Sequence, residues 1–173
     1  MDDQLIILCD ENGRPTGDYC PKIVGHTGKG KLHLAITVLL YNDKDEVLLQ
    51  RRKHKVFDDI WDLTGATHPL HTARGEESFE EATARCLLRE YGIKGVTLEN
   101  LGAFNYFATY GQLCESEHCA MLTGEYSGEI TLNPEVGYNY KWIDKQEFLK
   151  DIKENPPNYT PWAVIGVEIL EKR

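Results

Sequence analysis

Residues Leu32 to Tyr41 are apolar nearly throughout and rich in strand-favouring types, which predicts a central, buried strand. Asn42-Asp43-Lys44-Asp45 turns the chain, and Glu46 to Gln50 pairs back. A shorter apolar run, Gln4 to Cys9, predicts another strand, followed by the hairpin signal Asn12-Gly13. Arg14 to Gly25 is broken and proline-containing, and His26 to Lys31 reads as a flexible loop. Val96 to Phe107 and Gln112 to Thr123 carry strand patterns. In the second of these, period-two alternation puts Glu115, Glu117 and Cys119 on one face. Ile130 to Leu132 and Tyr138 to Trp142 read as extended.

The helical period appears most clearly over Glu76 to Tyr91, where Phe79, Ala82, Cys86 and Leu87 share a face. Ser78 with Glu81 three residues on is a capping box, and Gly92 stands at the C′ position. Asp144 predicts the cap of a helix running to about Glu154, which Asn155-Pro156-Pro157-Asn158 breaks. Thr160-Pro161 opens a last helix. Strands interleaved with helices in this order predict an α/β fold, a mixed sheet covered by helices.

Length and composition sharpen this. At 173 residues the chain reads as one domain, 1–173, with room for a core. A hydrophobic share of 41% beside a charged share of 27% fits a soluble globular protein. No apolar run reaches a membrane span, and Met1-Asp2-Asp3-Gln4 lacks the basic start of a signal peptide, so the expected location is cytoplasmic. The net charge of −9 argues against nucleic acid as the main partner while leaving room for a local basic pocket. Five cysteines, an odd number with no Cys-x-x-Cys pair, argue against a disulfide framework or zinc ribbon.

Between Trp61 and the first long helix lies Leu63-Thr64-Gly65-Ala66-Thr67-His68-Pro69-Leu70, whose small residues let backbone approach a ligand. The chemistry-bearing side chains make sense if they converge on it. His26, His33, His68, Glu115 and Glu117 form a mixed nitrogen and oxygen set suited to manganese, zinc or iron. Glu90, near the end of the first long helix, suits magnesium bound to a diphosphate. Lys22, Arg51, Arg52, Lys55 and Arg85 are cations able to bind that diphosphate. Trp162 offers an aromatic face to a cation, and Tyr106 a hydroxyl near Glu117. Each has a structural alternative. The two glutamates also suit a solvated strand face, Arg51 to Lys55 a basic turn, Glu90 a solvated helix charge, and Trp162 a core anchor.

His26-Thr27 with Leu32-His33-Leu34, Leu49-Gln50-Arg51-Arg52 and Thr67-His68-Pro69-Leu70 occur in a telling order. Arg85 to Ile93, Asn105-Tyr106, Glu115-Ser116-Glu117-His118-Cys119, Tyr140-Lys141-Trp142 and Thr160-Pro161-Trp162 continue it. Over nearly its whole length the chain resembles the type I isopentenyl-diphosphate isomerases, a branch of the Nudix superfamily. The resemblance implies a Nudix α/β/α sandwich. It implies one metal ion, manganese or zinc, on His26, His33, His68, Glu115 and Glu117, and magnesium between Glu90 and the substrate diphosphate. It places Lys22, Arg51 and Lys55 at the diphosphate, Tyr106 and Glu117 on the proton-delivering side, and Trp162 against a tertiary carbocation. The implied substrate is a small prenyl diphosphate.

Two departures matter. The family's cysteine acid/base stands two residues before the histidine of the His-Pro pair, and here that residue is Ala66. A methyl group transfers no proton, so Ala66 is either an introduced change that traps a complex or a natural one marking altered chemistry. Cys119 shares the Glu117 face and comes from the glutamate side. The Nudix hydrolase box is also depleted. Aligned on Gly92, it has His71 for its first glycine, keeps Glu77 and Arg85, has Cys86 and Arg89 where glutamates belong, and keeps Glu90. The leading expectation is isopentenyl-diphosphate isomerisation. The alternatives are a Nudix hydrolase of nucleoside or prenyl diphosphates and a non-catalytic diphosphate-binding relative.

Overall fold

The structure, a computed structural model, describes residues 4–172; the acidic Met1-Asp2-Asp3 start lies outside them. β1 (Leu5–Cys9) and β2 (Pro15–Pro21) form a hairpin. Its turn is held by the Asp10 carboxylate, which accepts from the Asn12 and Arg14 amides, while Gly13 takes φ 73°. A single helical turn, α1 (Lys22–Gly25), follows. Then come β3 (His33–Tyr41), β4 (Glu46–Arg52) and four short strands: β5 (Trp61–Asp62), β6 (Gly65–Thr67), β7 (Leu70–Thr72) and β8 (Gly75–Glu76). The rest is α2 (Phe79–Tyr91), β9 (Glu99–Tyr110), β10 (Leu113–Glu125), β11 (Gly137–Asp144), α3 (Lys145–Glu154), a 3-10 turn at Pro156–Asn158 and α4 (Pro161–Glu171).

β3 is the centre of the sheet, as its apolar run predicts. It pairs in parallel with β10 and antiparallel with β1, β4 and β6, so the sheet is mixed. Its side chains alternate between two layers. Ile36, Val38 and Leu40 meet Ala82, Leu87 and Tyr91 of α2. Leu39 faces the opposite way, into a cluster with Phe148 and Ile152 of α3 and Ala163 and Val167 of α4. The result is the expected helix–sheet–helix sandwich.

Local signals hold where backbone chemistry governs them. Ser78 and Glu81 close their capping box, and Gly92 ends α2 in the left-handed conformation at φ 71°. Asp144 caps α3 by accepting from the Gln146 and Glu147 amides. Two expectations differ. The first long helix begins at Phe79 rather than Glu76, because Gly75–Glu76 pairs with β7. Ile130–Leu132 joins no strand; the Thr131 and Asn133 amides instead donate to the Tyr91 and Glu90 carbonyls left open at the end of α2. Thr160 is the N-cap of α4 but makes no side-chain cap, since its hydroxyl is engaged elsewhere.

Candidate active site and metal centre

Sheet register builds the site. Glu117 on β10 stands opposite His33 of β3 on one side and Tyr106 of β9 on the other. Residues directly paired across strands share a face, so Tyr106, Glu117 and His33 form one row. Two residues further along, Cys119 stands opposite Ala35. Two beyond that, Ala66 of β6 stands opposite Thr37. At about 3.3 Å per residue, Ala66 is therefore about 13 Å along β3 from the row of Glu117. α1 ends at His26, and the loop after β6 delivers His68.

These residues converge. The ligand atoms of His26, His33, His68, Glu115 and Glu117 all lie within 4.8 Å of one another. Two donors on opposite sides of one ion at zinc-like bond lengths stand about 4 Å apart, so the cluster is close to metal-binding dimensions. His26 Nδ1 lies 2.7 Å from the Lys22 carbonyl and His33 Nδ1 2.6 Å from the Lys31 carbonyl. A carbonyl only accepts, so each Nδ1 carries the proton and each Nε2 turns a lone pair inward. Both Nε2 atoms, together with Glu115 Oε2, are buried without a hydrogen-bond partner, although His26 Nε2 and Glu115 Oε2 are 2.8 Å apart. Buried polar atoms are ordinarily satisfied. Orphaned lone pairs aimed at one point are what a divalent cation would satisfy, and the donor set fits one.

Electrostatics follow from this crowding. Burial opposes charge on His26, but Glu115 and Glu117 outweigh it and raise its pKa to about 10, so a bound cation would take the place of a proton on Nε2 and leave the lone pair to the ion. His68 is pushed down to about 3 by burial in spite of Glu117, whose Oε1 is 2.9 Å from its Nε2. Burial works to raise Glu117, yet the imidazoles of His26, His33 and His68 hold its carboxyl well below the usual range. Glu115 is raised by burial and, secondarily, by the neighbouring Glu117 charge, against the pull of His26. The Tyr106 hydroxyl donates to Glu117 Oε2. Burial and then the Glu117 charge keep that phenol protonated far above its ordinary range.

Above the row lies a cavity of about 660 Å³, a size that suits a small organic ligand. Its walls include Ala66, His68, Tyr106, Glu117, Cys119 and Trp162. Trp162 is 6.1 Å from the Tyr106 ring and meets Phe57 edge-on at 5.4 Å. Lys22, Arg52, Lys53, Lys55 and Arg89 also line it, with His54 among them, and the lysines and arginines make a local concentration of positive charge in a chain of net charge −9.

The sequence-based set is thus largely assembled, with exceptions. Lys22, Lys55 and Trp162 line the cavity, but Arg51 and Arg85 do not. Arg51 turns to the other face of β4, where it pairs with Asp59 at 2.8 Å and stacks over Trp61. Its neighbour Arg52 faces the cavity instead, as alternation along a strand requires. Arg85 grips Glu77 with two nitrogens and donates to the His68 carbonyl at 2.9 Å, so it braces the loop that carries His68. Glu90 lies outside the five-residue cluster, buried beneath Gly65 and bonded to Gln50 and Arg89. Lys53, His54 and Arg89 had no sequence signal beyond charge.

A model of the NUDIX domain matches residues 31–163. The isopentenyl-diphosphate Delta-isomerase 2 of Aromatoleum aromaticum is 30% identical over 165 residues, covering 94% of this chain and 83% of that protein. The isopentenyl-diphosphate Delta-isomerase of Shigella dysenteriae is 29% identical over 177 residues, covering 100% of this chain and 94% of its own. Among solved structures, DR0079 of Deinococcus radiodurans superposes with a TM-score of 0.64 at 15% identity, covering 88% of this chain and 90% of its own. The NUDIX domain of Shewanella oneidensis NrtR superposes at 0.58 and 19% identity, covering 91% and 94%. These two likenesses concern fold alone. The match over most of its length makes this chain a member of the NUDIX family, in the branch of the type I isopentenyl-diphosphate isomerases.

Proposed function

We propose that the cavity shifts the double bond between isopentenyl and dimethylallyl diphosphate, and does so slowly because one of its two proton-transfer walls is bare. The observation that carries this is the row Tyr106–Glu117–His33, which joins a buried phenol, a carboxylate and a cation-ready imidazole cluster on one side of the cavity. The names of the relatives support the substrate.

A divalent ion suits one position as it stands: manganese or zinc on the histidine–glutamate cluster would polarise the Tyr106–Glu117 pair. Glu90, bonded to Gln50 and Arg89 and outside the cavity lining, would hold magnesium for a diphosphate only on releasing Arg89. Arg52, Lys22 and Lys55 hold the diphosphate. The Tyr106–Glu117 pair holds a proton and delivers it to the terminal alkene carbon. Positive charge then sits on the tertiary carbon, facing the rings of Trp162 and Tyr106. The rings of Trp162 and Tyr106, both in the cavity wall, cover that carbon on one side against water. Loss of a proton from the neighbouring carbon, taken up slowly by an oxygen of the substrate's own diphosphate, completes the shift. The expected base for that step would sit at position 66, where the methyl of Ala66 can accept nothing.

Hydrolysis is less well supported. The face of α2 that would need several carboxylates carries Cys86 and Arg89, and its one buried acid, Glu90, is bonded to Gln50 and Arg89. We further read the chain as one functional domain over 1–173 acting on a small molecule, with neither nucleic acid nor membrane as partner. Among the described residues no helix is long and apolar enough to cross a membrane. All five cysteines are unpaired, which suits a reducing cytoplasm. Incubating the protein with isopentenyl diphosphate, magnesium and manganese and following dimethylallyl diphosphate by NMR tests the reading; phosphate release without a double-bond shift defeats it.

A further inference from the structure

The Asp62 side chain accepts four hydrogen bonds, yet Asp62 does not line the cavity. It is 1% exposed. One carboxylate oxygen, Oδ1, accepts from the Leu63 amide, the Thr160 hydroxyl and Trp162 Nε1, each at 2.8 Å. The other, Oδ2, accepts from Arg52 Nη1 at 2.7 Å. The Arg52 guanidinium in turn lies 4.9 Å from the Trp162 ring centroid, and its Nε donates to the Phe57 carbonyl. Arg52, Trp162 and Asp62 therefore close a triangle across three elements, β4, β5 and the start of α4.

Two details suggest that this triangle is built for more than packing. Thr160 is the N-cap of α4, and a threonine there ordinarily turns its hydroxyl to the helix amides. Here no such bond forms, because the hydroxyl goes to Asp62. The guanidinium has five N–H groups, and Nε and Nη1 each use one on Phe57 and Asp62, leaving three for an anion in the cavity. A buried carboxylate is thus spent on orienting one cation and one aromatic ring that both face the cavity.

We propose that Asp62 is a positioning residue, which locks the Arg52 fork and the Trp162 indole into one unit so that diphosphate capture and the aromatic wall are set together. This rests on the functional reading above for the identity of the anion, but not for the coupling itself. A carboxylate accepting from both partners fixes the indole plane and the direction of the fork at once. Neither side chain can rotate without leaving part of a buried charge unpaired.

The test uses the full-length, metal-loaded protein with inorganic pyrophosphate and magnesium as the probe, read by calorimetry. Asp62→Asn and Arg52→Gln should each weaken pyrophosphate binding by at least about tenfold. The double variant should lose no more than about twofold beyond the weaker-binding single. Thr160→Val, which leaves Asp62 in place, should weaken binding about threefold, and Asp59→Asn, the partner of the outward-facing Arg51, should change it less than about twofold. Losses that multiply in the double variant would overturn the proposal, as would a folded Asp62→Asn protein that binds like wild type. If Asp62→Asn does not fold, a Thr160→Val protein that binds like wild type overturns it instead. The Trp162 indole N–H signal, assigned by its loss in Trp162→Phe, reports without any ligand. Arg52→Gln should shift it and speed its hydrogen exchange, and an unchanged signal overturns the coupling. Absent pyrophosphate binding by the wild-type protein, with that indole response intact, would defeat the functional reading and leave the positioning role standing.

Discussion

The two ends of the cavity are built to different standards. At one end, Tyr106, Glu117 and three histidines form a dense network in which nearly every polar atom is either hydrogen-bonded or aimed at a common point. At the other, Ala66 offers a methyl group on a strand of three residues. The supports of that second end are nonetheless intact. Arg85 ties the His68 carbonyl to Glu77, and Tyr91 donates to the Thr64 carbonyl at 2.6 Å. Cys86 Sγ lies 3.9 Å from the Ala66 carbonyl. A loop this firmly held, with no proton carrier on it, separates two requirements that usually travel together: a rigid scaffold and a reactive group.

The contrast can be broken from the complete end. Glu117→Gln should abolish turnover by at least about a thousandfold and release metal, read by elemental analysis, because one oxygen set serves both the cluster and Tyr106. Tyr106→Phe separates those roles. It keeps the ring near Trp162 and removes the hydroxyl, so metal content should stay constant while kcat falls by about 10–100-fold. Equal metal loss in both variants would mean that the phenol serves only the cluster.

The cationic wall gives a sharper, smaller effect. Arg52→Gln should weaken pyrophosphate binding by at least about tenfold, whereas Arg51→Gln should change it less than about twofold. A reversed order would put the wrong face of β4 in the cavity. Smaller still is a pH effect from His54. Burial, reinforced by Arg52, Arg89 and Lys22, lowers its pKa to about 3, against about 6.5 in an unfolded chain. The folded state therefore binds this proton less readily than the unfolded one. Stability contributed by the neutral ring is fully present above about pH 6.5 and is lost as pH falls toward 3. His54→Asn should flatten the fall in Tm across that window relative to wild type, and parallel curves would contradict the assignment.

How far the sequence reveals this site depends on what each residue's neighbours contribute. The convergence of the histidine–glutamate cluster was legible because alternation on β10 puts Glu115 and Glu117 on one face and motif order supplies the histidines. Helix ends were legible because Ser78, Gly92 and Asp144 act through adjacent backbone. The choice between Arg51 and Arg52 was not. β4 is buried on both faces over most of its length, so no amphipathic pattern tells which arginine turns toward the cavity. Asp62 was equally silent, since its three side-chain partners lie 10, 98 and 100 residues away. Arg85 read as a ligand because charge alone does not distinguish a substrate contact from a loop brace.

The most direct measurement compares wild type with Ala66→Cys, each loaded with manganese and magnesium, by following isopentenyl diphosphate to dimethylallyl diphosphate. A thiol restored on an intact scaffold should raise the rate by at least about a hundredfold, with metal content and pyrophosphate affinity unchanged. If the Ala66→Cys protein binds metal and pyrophosphate normally yet produces no dimethylallyl diphosphate, the cavity is not an isomerase site.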